Sequence, residues 1–298
     1  MPRRPGLALI LALAALSIWS VPPWAGTSRA EYVGGYTWDI DDPRFGGLSG
    51  LEVSGDGLDF VAITDRGTFV SGRLKRDSGG AVIGVERADL APILGTDGQQ
   101  VRRKDADPEG LAVDDAGRIY VSFEANHRVW AYDAPGGVPE VIPQHGHFAR
   151  LQDNSGMEAL AIDADGRVYT LPERSGRLTR PFPVYRFDGQ WTQPFALPRD
   201  ADFLPVGADF GPDGKLYLLE RDFRGVFGFF TRVRRFEIGE ESAGPGEVVL
   251  ETAVPFQNNF EGIAVWQDAN GAIRLTLISD DNFTGVLTTE FADYRLVE

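Results

Sequence analysis

No cysteine occurs among the 298 residues, so a disulfide framework, a thiolate metal centre and a lipid-anchored cysteine are all excluded. Histidine is scarce too, with only His127, His145 and His147. The last two alternate in a Pro/Gly-bounded loop and, with no cysteine beside them, read as solvated loop residues rather than zinc ligands. No G-x-S-x-G elbow, H-E-x-x-H pair or phosphate-cradling glycine loop is present, which leaves a serine hydrolase without support.

Positive charge is in short supply. Lys and Arg number 29 against 44 Asp and Glu, giving a net charge of −15. Such a surface repels nucleic acid and anionic membranes and favours cations.

Long apolar runs are confined to the first 30 residues, where Leu7 to Trp19 follows Arg3-Arg4 and precedes Ser28-Arg29-Ala30. A basic start, a short apolar stretch and a small-x-small site make residues 1–30 a secretory signal peptide, and 31–298 the mature domain. No other stretch approaches the roughly 20 apolar residues of a membrane span. The expected mature chain is a secreted or periplasmic monomer. Removing three leader arginines takes its charge from −15 to −18.

What the sequence has in abundance is a repeat. An apolar strand, a tight turn and a second apolar strand ending on a carboxylate recur from residues 49, 109, 158, 206 and 261, at spacings of 60, 49, 48 and 55. The segments include EGLAVDDAGRIYVSFE (109–124) and EALAIDADGRVYTLPE (158–173). Further strand-like runs follow each hairpin, such as Arg128 to Tyr132 and Val184 to Phe187. Four strands per repeat of about 50 residues is the signature of a propeller blade. The fold expected is all-β, a β-propeller of five blades. A sixth is the alternative if the first, longer spacing hides a degenerate repeat. The fifth repeat is one strand short, and the unassigned strand Tyr32 to Ile40 is expected to pair into it and close the ring.

Counting outward from each turn as a two-residue hairpin sets Glu109 opposite Glu124, Glu158 opposite Glu173 and Glu261 opposite Asp280. Facing like charges need a cation, a shared proton or an arginine. Inner strands line a propeller's channel, so these ends converge on one face. Asp65, Glu220 and Asp281 are expected to join that rim. Oxygen donors in such number suit calcium. The candidate metal ligands are therefore Asp65, Glu109, Glu124, Glu158, Glu173, Glu261, Asp280 and Asp281, with Glu109, Glu158 and Glu261 also the candidate catalytic acids. Arg128 and Arg221, with His127, Asn154 and Asn282 beside the acids, are the candidate substrate-binding residues.

The segments DPEGLAV (107–113), FEANHR (123–128), NSGMEALAI (154–162), NNFEGIAV (258–265) and SDDNF (279–283) resemble the motif set of exported phytase-like proteins, described as having esterase-like activity of phytase. FEGIA with SDDNF is the most specific part, although the following TGVLTTEF departs from the usual continuation. The resemblance implies a β-propeller that hydrolyses phosphate or other esters with calcium. A lactonase-type propeller with one axial calcium and a non-catalytic binding propeller remain open as alternatives.

Overall fold

The computed structural model describes residues 29–102, 107–124, 126–152, 155–225, 228–252 and 258–297. Twenty strands form five four-stranded antiparallel sheets, and no α-helix occurs among the described residues. Blade 1 is β2 (Leu48–Val53), β3 (Asp59–Thr64), β4 (Thr68–Arg76) and β5 (Val82–Pro92). Blade 2 is β6 (Pro108–Val113), β7 (Ile119–Phe123), β8 (Arg128–Tyr132) and β9 (Glu140–Val141). Blade 3 is β10 (Ala159–Ile162), β11 (Val168–Leu171), β12 (Phe182–Phe187) and β13 (Trp191–Leu197). Blade 4 is β14 (Leu204–Phe210), β15 (Leu216–Phe223), β16 (Phe229–Phe236) and β17 (Glu247–Glu251). Blade 5 is β18 (Asn259–Gln267), β19 (Ile273–Asp280), β20 (Glu290–Leu296) and, as its outer strand, β1 (Ala30–Thr37).

Five blades, not six, account for the chain. The 60-residue first spacing is taken up by the long β4–β5 hairpin and the connection after it, not by a hidden blade. Closure occurs as expected: β1 pairs antiparallel with β20, from Ala30 opposite Leu296 to Thr37 opposite Glu290. Ala30, the last residue assigned to the leader, is the first of β1 and is buried.

The inner strands β2, β6, β10, β14 and β18 pack in a closed ring. Instead of one core there are five apolar wedges, one at each blade junction. Between blades 1 and 2, for example, Ile63 and Phe69 meet Leu111, Val121 and Tyr132. Between blades 4 and 5, Val206 and Leu219 meet Ile263 and Leu277. Alternation along each strand thus feeds two wedges, one on each face of the blade.

Near the axis the inner strands approach so closely that side chains are excluded. A Cβ on Gly207 would lie 2.5 Å from the Glu261 carbonyl oxygen, and one on Gly262 would lie 2.9 Å from the Leu51 nitrogen. This explains the glycine that follows the rim position in four of the five repeats. Gly207→Ala is therefore expected to destabilise the protein by about 1–3 kcal/mol through overpacking against backbone. Urea unfolding measures it, and an unchanged midpoint would refute the close approach.

The turn chemistry corrects the strand register. In blade 2, Asp114 N–H donates to the Arg118 carbonyl at 3.0 Å and Gly117 N–H to the Asp114 carbonyl at 2.9 Å, with Gly117 at φ 83°. Asp114 Oδ1 accepts from Ala116 N–H at 3.0 Å and Arg118 N–H at 2.8 Å. The same aspartate-to-glycine turn recurs at Asp163 and Asp268. Three residues, the last a left-handed glycine, separate the strands instead of two. Each hairpin is consequently offset by one residue from the expected pairing. The pairs Glu109/Glu124, Glu158/Glu173 and Glu261/Asp280 are not cross-strand partners. Phe123 lies opposite Pro108, Leu171 opposite Ala159, and Asp280 opposite Asn259.

Candidate functional site at the channel mouth

Two local devices bring the acids together despite that register. The inner strands of blades 2 and 5 bulge at the rim, between Pro108 and Leu111 and between Phe260 and Gly262, which re-aims Glu109 and Glu261. The second strands end where Asp65, Glu124 and Glu173 donate their N–H groups to the carbonyls of Gly47, Asp107 and Gly156. That recurrent bond fixes the carboxylates at the same height around the axis.

The result is a cavity of about 340 Å³ at one channel mouth, to which all five blades contribute. Asp65, Asp107, Glu109, Glu124, Glu158, Glu173, Glu261, Asp280 and Asn282 line it, with Arg174 and Arg221. Of the expected metal ligands, only Asp281 is absent from the lining. Its Oδ1 instead accepts from Gly47 N–H at 3.0 Å and Phe283 N–H at 3.1 Å, a turn-holding position. Asp107 was not foreseen. It carries φ 72°, and the pattern of apolar strand plus terminal acid does not reach it.

Charge in the cavity is unevenly compensated. Arg221 donates to Glu261, and to Asn259 Oδ1 at 2.8 Å, and lies 3.5 Å from Glu173 Oε1. Burial alone would lower the Arg221 guanidinium, but Glu261, Glu158 and Glu173 outweigh it and hold the group above its ordinary value. Arg174 pairs with Glu173 at 3.1 Å. Among the described residues, no arginine or lysine forms an ion pair with Asp107, Glu109, Glu124 or Asp280 on the opposite wall. Burial, reinforced by Glu158, Glu261, Asp107 and Glu124, drives Glu109 well above the usual carboxylate range. Burial likewise raises Glu124 to about 7, against the pull of a 3.0 Å bond from Gly156 N–H. Asp280 is raised to about 8 by burial and then by Glu261. Glu158 rises well above its ordinary value through burial, with Arg221 opposing and Glu173 and Glu124 adding.

The remaining expected residues sit elsewhere. Arg128 is buried, its guanidinium 3.9 Å from the Phe123 ring and 4.3 Å from the Trp130 ring. His127 is buried against Gly156, on which a Cβ would meet the imidazole. Asn154 lies outside the described residues. Glu220, expected on the rim, is fully buried inside blade 4 between Arg232 and Arg234.

A second group of acids emerges at the opposite mouth, which opens into a cavity of about 670 Å³. Where blades 2, 3 and 5 carry Ala112, Ala161 and Ala264, blades 1 and 4 carry Glu52 and Asp209. Each ties its inner strand to the next blade: Asp209 Oδ2 accepts from Val265 N–H at 2.6 Å, and Glu52 accepts from Val113 N–H. Burial raises Asp209 to about 7, and burial with Asp209 nearby raises Glu52 well above its ordinary value. The folded state therefore keeps the Asp209 proton up to about pH 7, whereas the unfolded chain releases it near pH 4. Stability falls as pH rises through that window and is flat above it. Asp209→Asn retains an acceptor and is expected to gain about 1–3 kcal/mol over wild type at pH 8 and nothing at pH 4. Thermal melts at the two pH values check this, and an equal effect at both would refute it.

Fold and site together define a five-bladed propeller with a polyacidic pocket on its axis. The chain belongs to the phytase-like family, described as esterase-like activity of phytase, whose model matches residues 43–283. A comparison with curated proteins finds no match. Among solved structures, the catalytic domain of a Coprinopsis cinerea GH62 α-L-arabinofuranosidase is similar, with a TM-score of 0.55 and 12% identity, covering 90% of this chain and 97% of that one. A Podospora anserina α-L-arabinofuranosidase aligns with a TM-score of 0.47 and 13% identity, covering 90% and 96%. A Xanthomonas campestris gluconolactonase aligns with a TM-score of 0.45 and 15% identity, covering 83% and 72%. At these identities the likeness is one of fold.

Proposed function

We propose that the mature chain is an exported hydrolase that cleaves phosphate or other esters at the acidic channel mouth, with calcium held there. Family membership supports the reaction class. One observation carries the site: among the described residues, eight carboxylates from four blades share one cavity with two arginines. The donor set fits a hard cation. Asp107, Glu109 and Glu124 bring ligand oxygens within 4.8 Å of one another, and no sulfur or imidazole competes. Glu158 and Asp280 complete the oxygen-rich wall. Calcium bound there supplies Lewis-acid polarisation of an ester oxygen and acidifies water.

The chain's own residues divide the remaining work. Arg221 stays with Glu261 and Glu173, and Arg174 with Glu173, so these two carboxylates are neutralised and fixed. Asn259 Nδ2 donates to Glu261 Oε1 at 2.7 Å and, with Arg221, fixes the orientation of that carboxylate. Asn282 lines the same cavity beside Asp280, to which its N–H donates at 2.7 Å. The leader places this chemistry outside the cytoplasm.

Hydrolysis scanned over phosphomonoesters, carboxylic esters and lactones, with and without a chelator, tests the reading. Turnover of a phosphate or carboxylic ester should disappear on chelation and return with calcium. Turnover confined to lactones would replace the reading with a lactonase, and no turnover at all with a binding propeller.

A further inference from the structure

The five blades differ on the face that carries the acids. Second strands end beside the channel mouth, so every connection from a second to a third strand lies on that face. In blades 1 and 2 the connection is short, residues 65–67 and 124–127. Blades 3 and 5 have longer ones, residues 172–181 and 281–289, and in blade 4 the β15–β16 hairpin runs two pairs past Arg221, to Phe223 opposite Phe229.

Each of these three extensions exposes one large apolar side chain. Leu178 is 70% exposed, Phe223 62% and Val286 78%, and among the described residues no other large hydrophobic exceeds 56%. The turns that carry them are held in place. Ser175 Oγ donates to the Arg180 carbonyl at 2.6 Å, Arg224 N–H to the Gly228 carbonyl at 3.0 Å, and Val286 N–H to Thr284 Oγ1 at 3.3 Å. Phe223 is braced by the Phe229 ring at 4.8 Å.

Charge sets the same extensions apart. Residues 174–181, 223–230 and 282–289 contain no acid in a chain that has 44, and they contain Arg174, Arg177, Arg180 and Arg224. Arg177 adjoins Leu178, and Arg224, paired with Asp222 at 2.7 Å, adjoins Phe223. Side chains at these exposures project outward, a shape suited to entering a soft surface and not to enclosing a ligand. We infer that this face docks on a phospholipid surface, with Leu178, Phe223 and Val286 entering the acyl boundary and Arg177 and Arg224 meeting headgroup phosphates. The net charge of −15 repels the rest of the chain from an anionic surface, so the docked orientation is fixed. It turns the channel mouth toward the lipid. An ester carried by a lipid is the substrate class this orientation serves, a step that rests on the hydrolase reading, whereas the docking does not.

Co-sedimentation of the full mature chain with vesicles of phosphatidylcholine and phosphatidylglycerol, in chelator so that calcium cannot bridge acids to lipid, tests the docking. Wild type should partition to the vesicles, at least tenfold more strongly than Leu178→Ser/Phe223→Ser/Val286→Ser. Ile83→Ser/Val138→Ser/Val141→Ser removes three exposed apolar groups from elsewhere and should change partitioning less than twofold. Because the chain has no cysteine, Val286→Cys can carry an environment-sensitive dye, whose emission should shift to the blue on adding vesicles. The docking is overturned if wild type stays in the supernatant, if both triple variants lose binding equally, if the first still binds as wild type, or if the dye does not shift. Partitioning without any ester turnover would uphold the docking and remove only the hydrolase reading.

Discussion

If the proposed hydrolase reading holds, Glu158→Gln is expected to lower kcat/KM for an ester substrate by about a thousandfold, equivalent to ~4 kcal/mol of transition-state stabilisation, while making the calcium-free protein more stable. Both effects follow from one position. Glu158 is 6% exposed, shares the cavity with Glu109, Glu124, Glu173 and Glu261, and has Arg221 as its nearest compensating charge. As a carboxylate it is repelled in the absence of a cation and needed in its presence. Glutamine keeps the volume and an acceptor oxygen but carries no charge. Without calcium the melting temperature should therefore rise by several degrees, and the further rise on adding calcium should shrink. Wild-type turnover in this variant would rule out the proposed chemistry. A fall in calcium-free stability would rule out the repulsion from which the site is argued.

Glu220→Ala, by contrast, is expected to cost about 3–5 kcal/mol of stability and to leave the proposed calcium binding at the channel mouth unchanged. Glu220 is fully buried, accepting from Arg232 Nε at 2.9 Å and from Arg234 Nε at 2.7 Å and Nη2 at 2.6 Å. Arg232 reaches onward to Asp200 at 3.0 Å, and Arg234 to the Pro198 carbonyl at 2.9 Å. Deleting the shared acid strands two buried guanidiniums, whereas replacing all three by Glu220→Leu, Arg232→Met and Arg234→Met removes charge and desolvation cost together. The triple variant should recover most of the loss. Urea unfolding distinguishes the two, and a single variant as stable as wild type would show that the network contributes nothing.

The contrast between these two acids shows how far the sequence could be read. Repeat length, four strands per repeat and the unpaired N-terminal strand were all legible, because apolar alternation and left-handed turn glycines are local signals. Closure by β1 followed from counting strands in the last repeat. Register was not legible: a two-residue and a three-residue turn end on the same glycine and differ by the residue two before it, Asp115, Ala164 or Ala269, and that residue decides which acids face each other. The rim survived the error because bulges at Glu109 and Glu261, invisible as composition, turned the side chains back toward the axis.

Glu220 illustrates the opposite failure. It occupies the same repeat position as Glu124 and Glu173, yet the arginines that bury it lie on the neighbouring strand, at Arg232 and Arg234. In the third strands, Arg234 stands where other blades carry Phe69, Val129 and Phe291. In the inner strands, Glu52 and Asp209 stand at positions that are alanine elsewhere, a signal for interblade ties. Arg128 and Arg221 were singled out for following acids in sequence. One lies between aromatic rings and the other holds Glu261, while the arginines around Ser175 are recognisable only once the loop is closed in space.

Titrating calcium into the metal-free mature chain by calorimetry, alongside Glu109→Gln, examines the site most directly. Saturable binding that raises the wild-type melting temperature, and that weakens at least tenfold in the variant, is the result expected from a cation held by Asp107, Glu109 and Glu124. No binding, with an unchanged melting temperature, would contradict the assignment of the acidic channel mouth as a metal-dependent active site.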